Sequence, residues 1–170
     1  ESQEYTRAIA SESENHIDNL DIYVFAATAD GGDYQYLETW KAAAQDDTAA
    51  KTFKLSGAGT ARKASIFPTE LKGIPNLKLY CVANSTTLYD ADGNAITPLT
   101  PVQTNAATGA ITTDGTKATD FEKYFTAKLE PTGTALGTPL VMTGSGTTKI
   151  LGNIATVNIE LRRRVSRFDI

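Results

Sequence analysis

The sequence is poor in the side chains that carry out chemistry. Its 170 residues include one histidine, His16, and one cysteine, Cys81. A lone cysteine closes no internal disulfide, so it points to no particular redox compartment. His16 stands in a polar stretch with no nucleophile beside it, and nucleophilic catalysis needs that pairing. The G-x-S-x-G elbow of hydrolases is missing as well. Paired acidic residues do occur, Glu12 with Glu14 and Asp46 with Asp47, but in polar segments where solvated charge is the default. No apolar run reaches the about 18 residues of a membrane-spanning helix. The first residues do not follow the basic, apolar, small-residue order of a secretory signal. The net charge is −4, against the basic face that nucleic-acid binding requires. The residues therefore point to no enzyme, cofactor or metal site, and to no nucleic-acid partner.

What is abundant is threonine and alanine, with 25 and 23 residues. Many threonines with one methionine favour β-structure joined by long polar loops. The length suits one domain with a real core. The charge is uneven: the first 50 residues are acidic, and the closing stretch "NIELRRRVSRFDI" carries Arg162, Arg163, Arg164 and Arg167.

Residues 1–19 are polar and without apolar period, which reads as a lead-in. "LDIYVFAA" (Leu20–Ala27) is a strand. Leu20, Ile22 and Val24 share one face, Tyr23 and Phe25 the other; both are apolar, so the strand is central or covered twice. "YQYLETWKAAAQDDTAA" fits either state: Leu37, Trp40 and Ala44 have helical spacing, whereas Tyr34, Tyr36 and Thr39 suit a strand. "KTFKLSG" alternates, with Phe53 and Leu55 inward. "GAGTARKASIFP" reads as a loop and a short strand ended by Pro68. "LKLYCVANS" is a second strong strand, with Leu79 and Cys81 opposed to Tyr80 and Val82. Residues 86–119 read as turns with a small hairpin. "TDFEKYFTAKL" (Thr119–Leu129) is the best helix, with a capping box at Thr119 and Glu122 and an apolar stripe at Phe121, Phe125 and Leu129. "LVMTGSG" reads as a short strand into a glycine turn, and "ATVNIELRRRVSRFDI" as the last and longest strand. The sum is a mostly β, antiparallel β-sandwich of six to eight strands with one or two short helices.

"DADGN" (Asp90–Asn94) begins like a calcium loop, but the template needs Gly sixth and Glu twelfth. Ala95 and Pro101 stand there, and a tight Asp-Gly turn is the reading. "GAGTARK" and "GSGTTK" lack phosphate-loop spacing. Asn84-Ser85-Thr86 matches the N-glycan acceptor pattern, a match short enough to arise by chance.

Three ordered stretches carry a family resemblance: "TRAIASESENHIDNLDIYVFA", "LYCVAN", and "PLVMTGS" followed by "VNIELRRRVSRFDI". In that order and spacing the chain resembles the N-terminal domain of the fimbrillins, the type V pilins and Mfa-like subunits of Bacteroidales-type bacteria. The resemblance implies a transthyretin-like sandwich with a second sandwich domain following it. It implies an exported lipoprotein precursor of an outer-membrane, cell-surface fimbrium supporting adhesion. The implied partners are other pilin subunits in a homopolymer or hetero-fimbria, a maturation protease, and host or bacterial surface ligands. It also implies cleavage after an arginine in the lead-in. Arg7 before Ala8 occupies that place, removing residues 1–7, and exposed polar tips are where proteases cut. The vacated groove would accept a strand from another subunit. Its expected residues are Leu20, Ile22, Val24, Val157, Ile159, Leu161 and Val165, with the opened edge beside Leu20–Phe25 and the Val157–Val165 strand.

Val157, Ile159, Leu161, Arg163 and Val165 share one face by period two, whereas Phe168 and Ile170 have changed sides. An unpaired arginine in a core costs several kcal/mol, so a β-bulge or a change of partner sheet is expected between Leu161 and Phe168. The alternative function is a monomeric surface adhesin for glycan or peptide, with Tyr34, Tyr36 and Trp40 as its aromatic platform. The phase of "LKLYCVANS" puts Cys81 among apolar neighbours. Thiol reagents should label it slowly in the native domain; labelling at the rate of the unfolded chain would contradict the strand.

Overall fold

The computed structural model describes residues 16–29, 32–42, 51–58, 61–84, 87–125, 141–150 and 157–163. In chain order its elements are β1 (Leu20–Ala27), β2 (Gln35–Ala42), β3 (Thr52–Phe53), β4 (Ser56–Ala58), β5 (Ala61–Lys63), β6 (Asn76–Ala83), β7 (Gln103–Thr104) and β8 (Ile111–Thr113). Helix α1 (Ala118–Phe125), β9 (Met142–Lys149) and β10 (Arg162–Arg163) follow. Six strands form one sheet in the order β10-β9-β6-β1-β2-β3; β4-β5 and β7-β8 are separate hairpins. Every pairing is antiparallel except β2 with β3, which is parallel. The mostly β character is as expected, although the ten strands among the described residues include several of two or three residues.

β1 and β6 lie at the centre because each is apolar on both faces. Their pairing sets Ile22 opposite Cys81 and Val24 opposite Leu79 on one face, and Tyr23 opposite Tyr80 on the other. The first face builds a cluster of Leu20, Ile22, Val24, Leu77, Leu79 and Cys81 with Trp40, Phe53, Ile74 and Met142. The second builds an aromatic cluster of Phe25, Tyr80, Phe121, Tyr124 and Phe125 with Val82. Each large apolar side chain buried in this way stabilises the fold by about 1.5–3 kcal/mol.

α1 is only eight residues long, too short to persist by itself in water. Its stability comes from Phe121 and Phe125, one turn apart and both buried. Phe121 lies 5.1 Å from the Phe25 ring and 5.0 Å from Tyr80, and Phe125 lies 4.8 Å from Tyr80. The start differs from the expected capping box. The Lys117 carbonyl accepts the amides of Asp120 and Phe121 at 3.0 and 3.1 Å. Thr119 therefore falls inside the first turn, and Glu122 accepts the Tyr80 hydroxyl at 2.7 Å and the Lys78 ammonium at 3.2 Å. Leu129 lies outside the described residues.

The open choice for residues 34–50 resolves, over its described part, as strand β2. β1 needs a ladder on this side, and β2 supplies it from Asp21↔Lys41 to Ala26↔Gln35. A register shift at Val24/Phe25 lets Leu37 join the cluster that holds Trp40, three residues on; unbroken period two would set them apart. The same strand buries Glu38, at 3 % exposure. Its carboxylate accepts the Trp40 indole N–H at 2.7 Å and the Thr69 amide at 2.9 Å, so both oxygens are satisfied.

β9 corrects a second expectation. Its glycines do not form a turn; they sit mid-strand, with Gly144 opposite Cys81 and Gly146 opposite Leu79. Residues 157–160 pass directly over them. A Cβ on Gly144 would collide with the Glu160 carbonyl, and one on Gly146 would come within 2.8 Å of Val157 Cγ2. Glycine is the residue that permits such an approach. Replacing Gly144 by Val should lower unfolding stability by about 2–4 kcal/mol through overpacking. Ser145→Ala, on the exposed face next to it, should stay within about 0.5 kcal/mol. Urea unfolding of the two variants measures the difference.

Candidate functional site

Six of the seven residues expected to line the groove lie in or against one cluster. Leu20, Ile22 and Val24 are buried in the first cluster, and Val157, Ile159 and Leu161 pack half-buried against it. Along 157–162 the alternation is regular, with Asn158, Glu160 and Arg162 exposed between the apolar residues. These side chains form a face, however, and not an edge. β1 is laddered to β2 on one side and to β6 on the other, so no open edge lies beside Leu20–Phe25. The backbone groups there are already spent on two neighbours. One end of the sheet lies at β9, where β10 pairs only with Met142 and Thr143, and the other at β2, where β3 pairs only with Lys41 and Ala42. From Gly144 to Lys149 no described strand lies on the side away from β6.

Arg162 is exposed and lies 3.4 Å from Glu160, two residues earlier on the same side. Both side chains are more than three-quarters exposed, so this pair adds little to stability. Arg163 pairs in the ladder with Met142. Arg164, Val165 and Arg167, with most of the stretch expected to hold a bulge, lie outside the described residues, as do Arg7 and Ala8.

The aromatic trio is divided by the sheet. Trp40 is buried in the first cluster, whereas Tyr34 and Tyr36 pack against the second. Tyr36 donates to or accepts from Thr39 at 2.7 Å. The three rings share no face.

The residue that the sequence motifs left without a role is Asn84. It ends β6 in the left-handed region, at φ 63°, which Asn tolerates better than most residues. There its side chain reaches the segment leading into β1. Asn84 Oδ1 accepts the Asp18 amide at 2.9 Å, and Nδ2 donates to the His16 carbonyl at 2.8 Å. Its own amide donates to the Asn19 carbonyl at 3.1 Å. The nitrogen that a glycan would need is thus engaged with the backbone. No periodicity marks such a clamp, because it joins residues 66 and 68 positions apart.

The titratable groups are set for structure. Burial pushes the Cys81 thiol up to about 12, where no reactive thiolate forms near neutrality. Burial likewise pushes the Tyr23 phenol up to about 12. The Tyr80 hydroxyl bond holds the Glu122 carboxyl below its usual range. "DADGN" is the turn expected of it: Asp90 accepts the amides of Asp92 and Asn94 at 3.0 and 2.9 Å, and Gly93 has φ 83°.

The domain is β-rich and two-faced, and its polar side chains tie segments together. The family model for the major fimbrial subunit protein (FimA) matches residues 2–163. That is nearly the whole chain, and the chain belongs to this family. It is a structural subunit of a cell-surface fimbrium and assembles with other pilin subunits. Neither the curated proteins nor the solved structures contain a match.

The clamp has a measurable consequence. Asn84→Ala removes the side-chain hydrogen bonds to His16, Asp18 and Asn19 and strains an Ala at positive φ, a loss of about 1–3 kcal/mol. Asn84→Gly removes the bonds and relieves the strain, and should lose less. Hydrogen exchange at the Asp18 amide should quicken in both variants, while that in the middle of β6 falls only with global stability.

Proposed function

We propose that the chain is the N-terminal, transthyretin-like domain of a pilin matured from an exported lipoprotein and polymerised by protease-triggered strand exchange at the outer membrane. The observation that carries this reading is the family match over residues 2–163, combined with the gathering of Leu20, Ile22 and Val24 with Val157, Ile159 and Leu161 on one core face. Cleavage after Arg7 releases the upstream residues, which until then occupy the groove as an internal strand. A strand of another subunit replaces them. Strand addition supplies main-chain hydrogen bonds along its length and seats alternate side chains in pockets. An unfilled groove invites aggregation, which is why a precursor keeps its own strand in place. The laddering of β1 on both sides moves the acceptor edge away from β1, and the Gly144–Lys149 side of β9 offers the backbone groups that such a strand needs. A monomeric adhesin would need Tyr34, Tyr36 and Trp40 on one surface, and their division between faces gives that alternative no platform.

The test is Arg7→Ala in the full-length protein. Trypsin should convert the wild type to polymer and leave the folded variant monomeric. Polymer forming equally well from the variant would remove Arg7 from the mechanism.

A further inference from the structure

Residues 157–161 alternate as a strand does, yet 157–160 join no ladder. Val157, Ile159 and Leu161 pack half-buried against the first cluster, with Asn158 and Glu160 exposed between them. Among the described residues no backbone hydrogen bond reaches 157–160. The segment stands out of the sheet plane, across the first-cluster face of β9. The Glu160 carbonyl lies where a Gly144 side chain would be, and Val157 Cγ2 and Ile159 Cγ1 lie 2.8 and 3.1 Å from where Gly146 would carry a Cβ. Just beyond, the chain drops into the sheet, with Arg162 opposite Thr143 and Arg163 opposite Met142. From Gly144 to Lys149 the outward backbone of β9 meets no described strand. Two runs of peptide groups without a protein partner among the described residues therefore lie side by side, joined at a ladder that has already begun. Such groups are ordinarily paired unless water reaches them.

The register of that ladder continues without conflict. Extended pair by pair from Arg162↔Thr143, it sets Leu161 opposite Gly144, Glu160 opposite Ser145, Ile159 opposite Gly146, Asn158 opposite Thr147 and Val157 opposite Thr148. Directly opposed residues of an antiparallel pair share a face. Gly144 and Gly146 lie opposite Cys81 and Leu79, on the first-cluster face. Leu161, Ile159 and Val157 would therefore keep their apolar side. Asn158 and Glu160 would join Ser145 and Thr147, which are exposed. One alternation thus serves both positions of the segment, over the face and along the edge. The two positions exchange one favourable contribution for another. Over the face, the apolar side chains cover the cluster. Along the edge, both runs of peptide groups are paired.

We propose that residues 157–161 are a movable strap, which lies over the face in this structure and zips onto β9 to close its edge. An unpaired edge is a template for unwanted pairing, and a strap drawn from the same chain blunts it. An arriving strand and the strap need the same peptide groups of Gly144–Lys149. The edge therefore takes a partner only while the strap lies over the face, a step that rests on the reading of β9 as the acceptor. Gly144 and Gly146 set the balance. A side chain on either one excludes the strap from the face and leaves it the edge.

The experiment follows amide hydrogen exchange in the full-length protein, comparing the wild type with Gly144→Ala and Gly146→Ala. Two sets of amides report: those of residues 157–160, and those between Gly144 and Lys149 that face away from β6. In the variants both sets should slow together by about tenfold, while the middle of β6 stays protected as the sign of an intact fold. A segment merely pushed off the face would exchange faster; that result, or no change in either variant, overturns the proposal. Gly146→Ala meets side chains only, where Gly144→Ala meets a carbonyl, so it remains decisive if the other fails to fold. With the edge closed, trypsin-triggered polymer should fall by about tenfold as the open form is depleted. Polymer at the wild-type level beside a protected edge overturns the control of assembly by the strap and removes β9 as the acceptor. A wild type that gives no polymer after cleavage defeats the subunit reading, and the exchange result still decides the strap.

Discussion

The ladder between β1 and β6 is the constraint on which the rest of the domain depends. It runs through eight residue pairs, from Leu20↔Ala83 to Ala27↔Asn76. Both strands are apolar on both faces, so the ladder is stable only when it is covered twice. One cover is α1, whose phenyl rings meet Phe25 at a tilt and Tyr80 edge-to-face. The other is irregular, made from Ile66, Leu71 and Ile74 with the 157–161 segment. A one-residue slip in the ladder would exchange the two faces and leave each cover facing the wrong side chains.

Three polar contacts hold pieces with no strand ladder of their own to this centre. Glu38 holds the loop at Thr69, Asn84 holds the segment before β1, and Tyr80 with Lys78 holds α1 through Glu122. A net gain of about 1 kcal/mol is typical of a single hydrogen bond, so none of them makes the fold. What they do is select one position for a segment that apolar contact alone would leave several. Leaving the buried Glu38 carboxylate without its partners would cost more than the bonds contribute.

Burial also grades outward in a way that suits a subunit that must take new neighbours. Leu20, Ile22 and Val24 are closed off, whereas Val157, Ile159 and Leu161, on the same face, are only half-covered. Among the described residues β9 is laddered along its full length on one side and over two residues on the other. Regions with fewer buried contacts open at lower free energy than the centre. The centre can therefore stay intact while the periphery is rearranged.

Much of the centre could be read from the order of residues. Period two in "LDIYVFAA" and "LKLYCVANS" set Leu20, Ile22 and Val24 on the opposite face from Tyr23 and Phe25, and Leu79 and Cys81 on the opposite face from Tyr80 and Val82, as the two clusters have them, because alternation is a local property of an extended chain. The i, i+4 pair Phe121 and Phe125 announced the helix for the same reason. What could not be read depends on distant groups. "YQYLETW" suits a helix and a strand alike, and the need of β1 for a second ladder decides it. "TGSG" looks like a turn until residues 157–160 are laid across it. Glu38 looks like surface charge until Trp40 and Thr69 close around it, and Asn84 looks like a glycan acceptor until His16 and Asp18 arrive. The sequence by itself determined which faces are apolar, since that is written in neighbouring residues. Only the tertiary structure decided which edge is open, which glycine is crowded and which polar group is enclosed, because each of those is set by a partner far away in the chain.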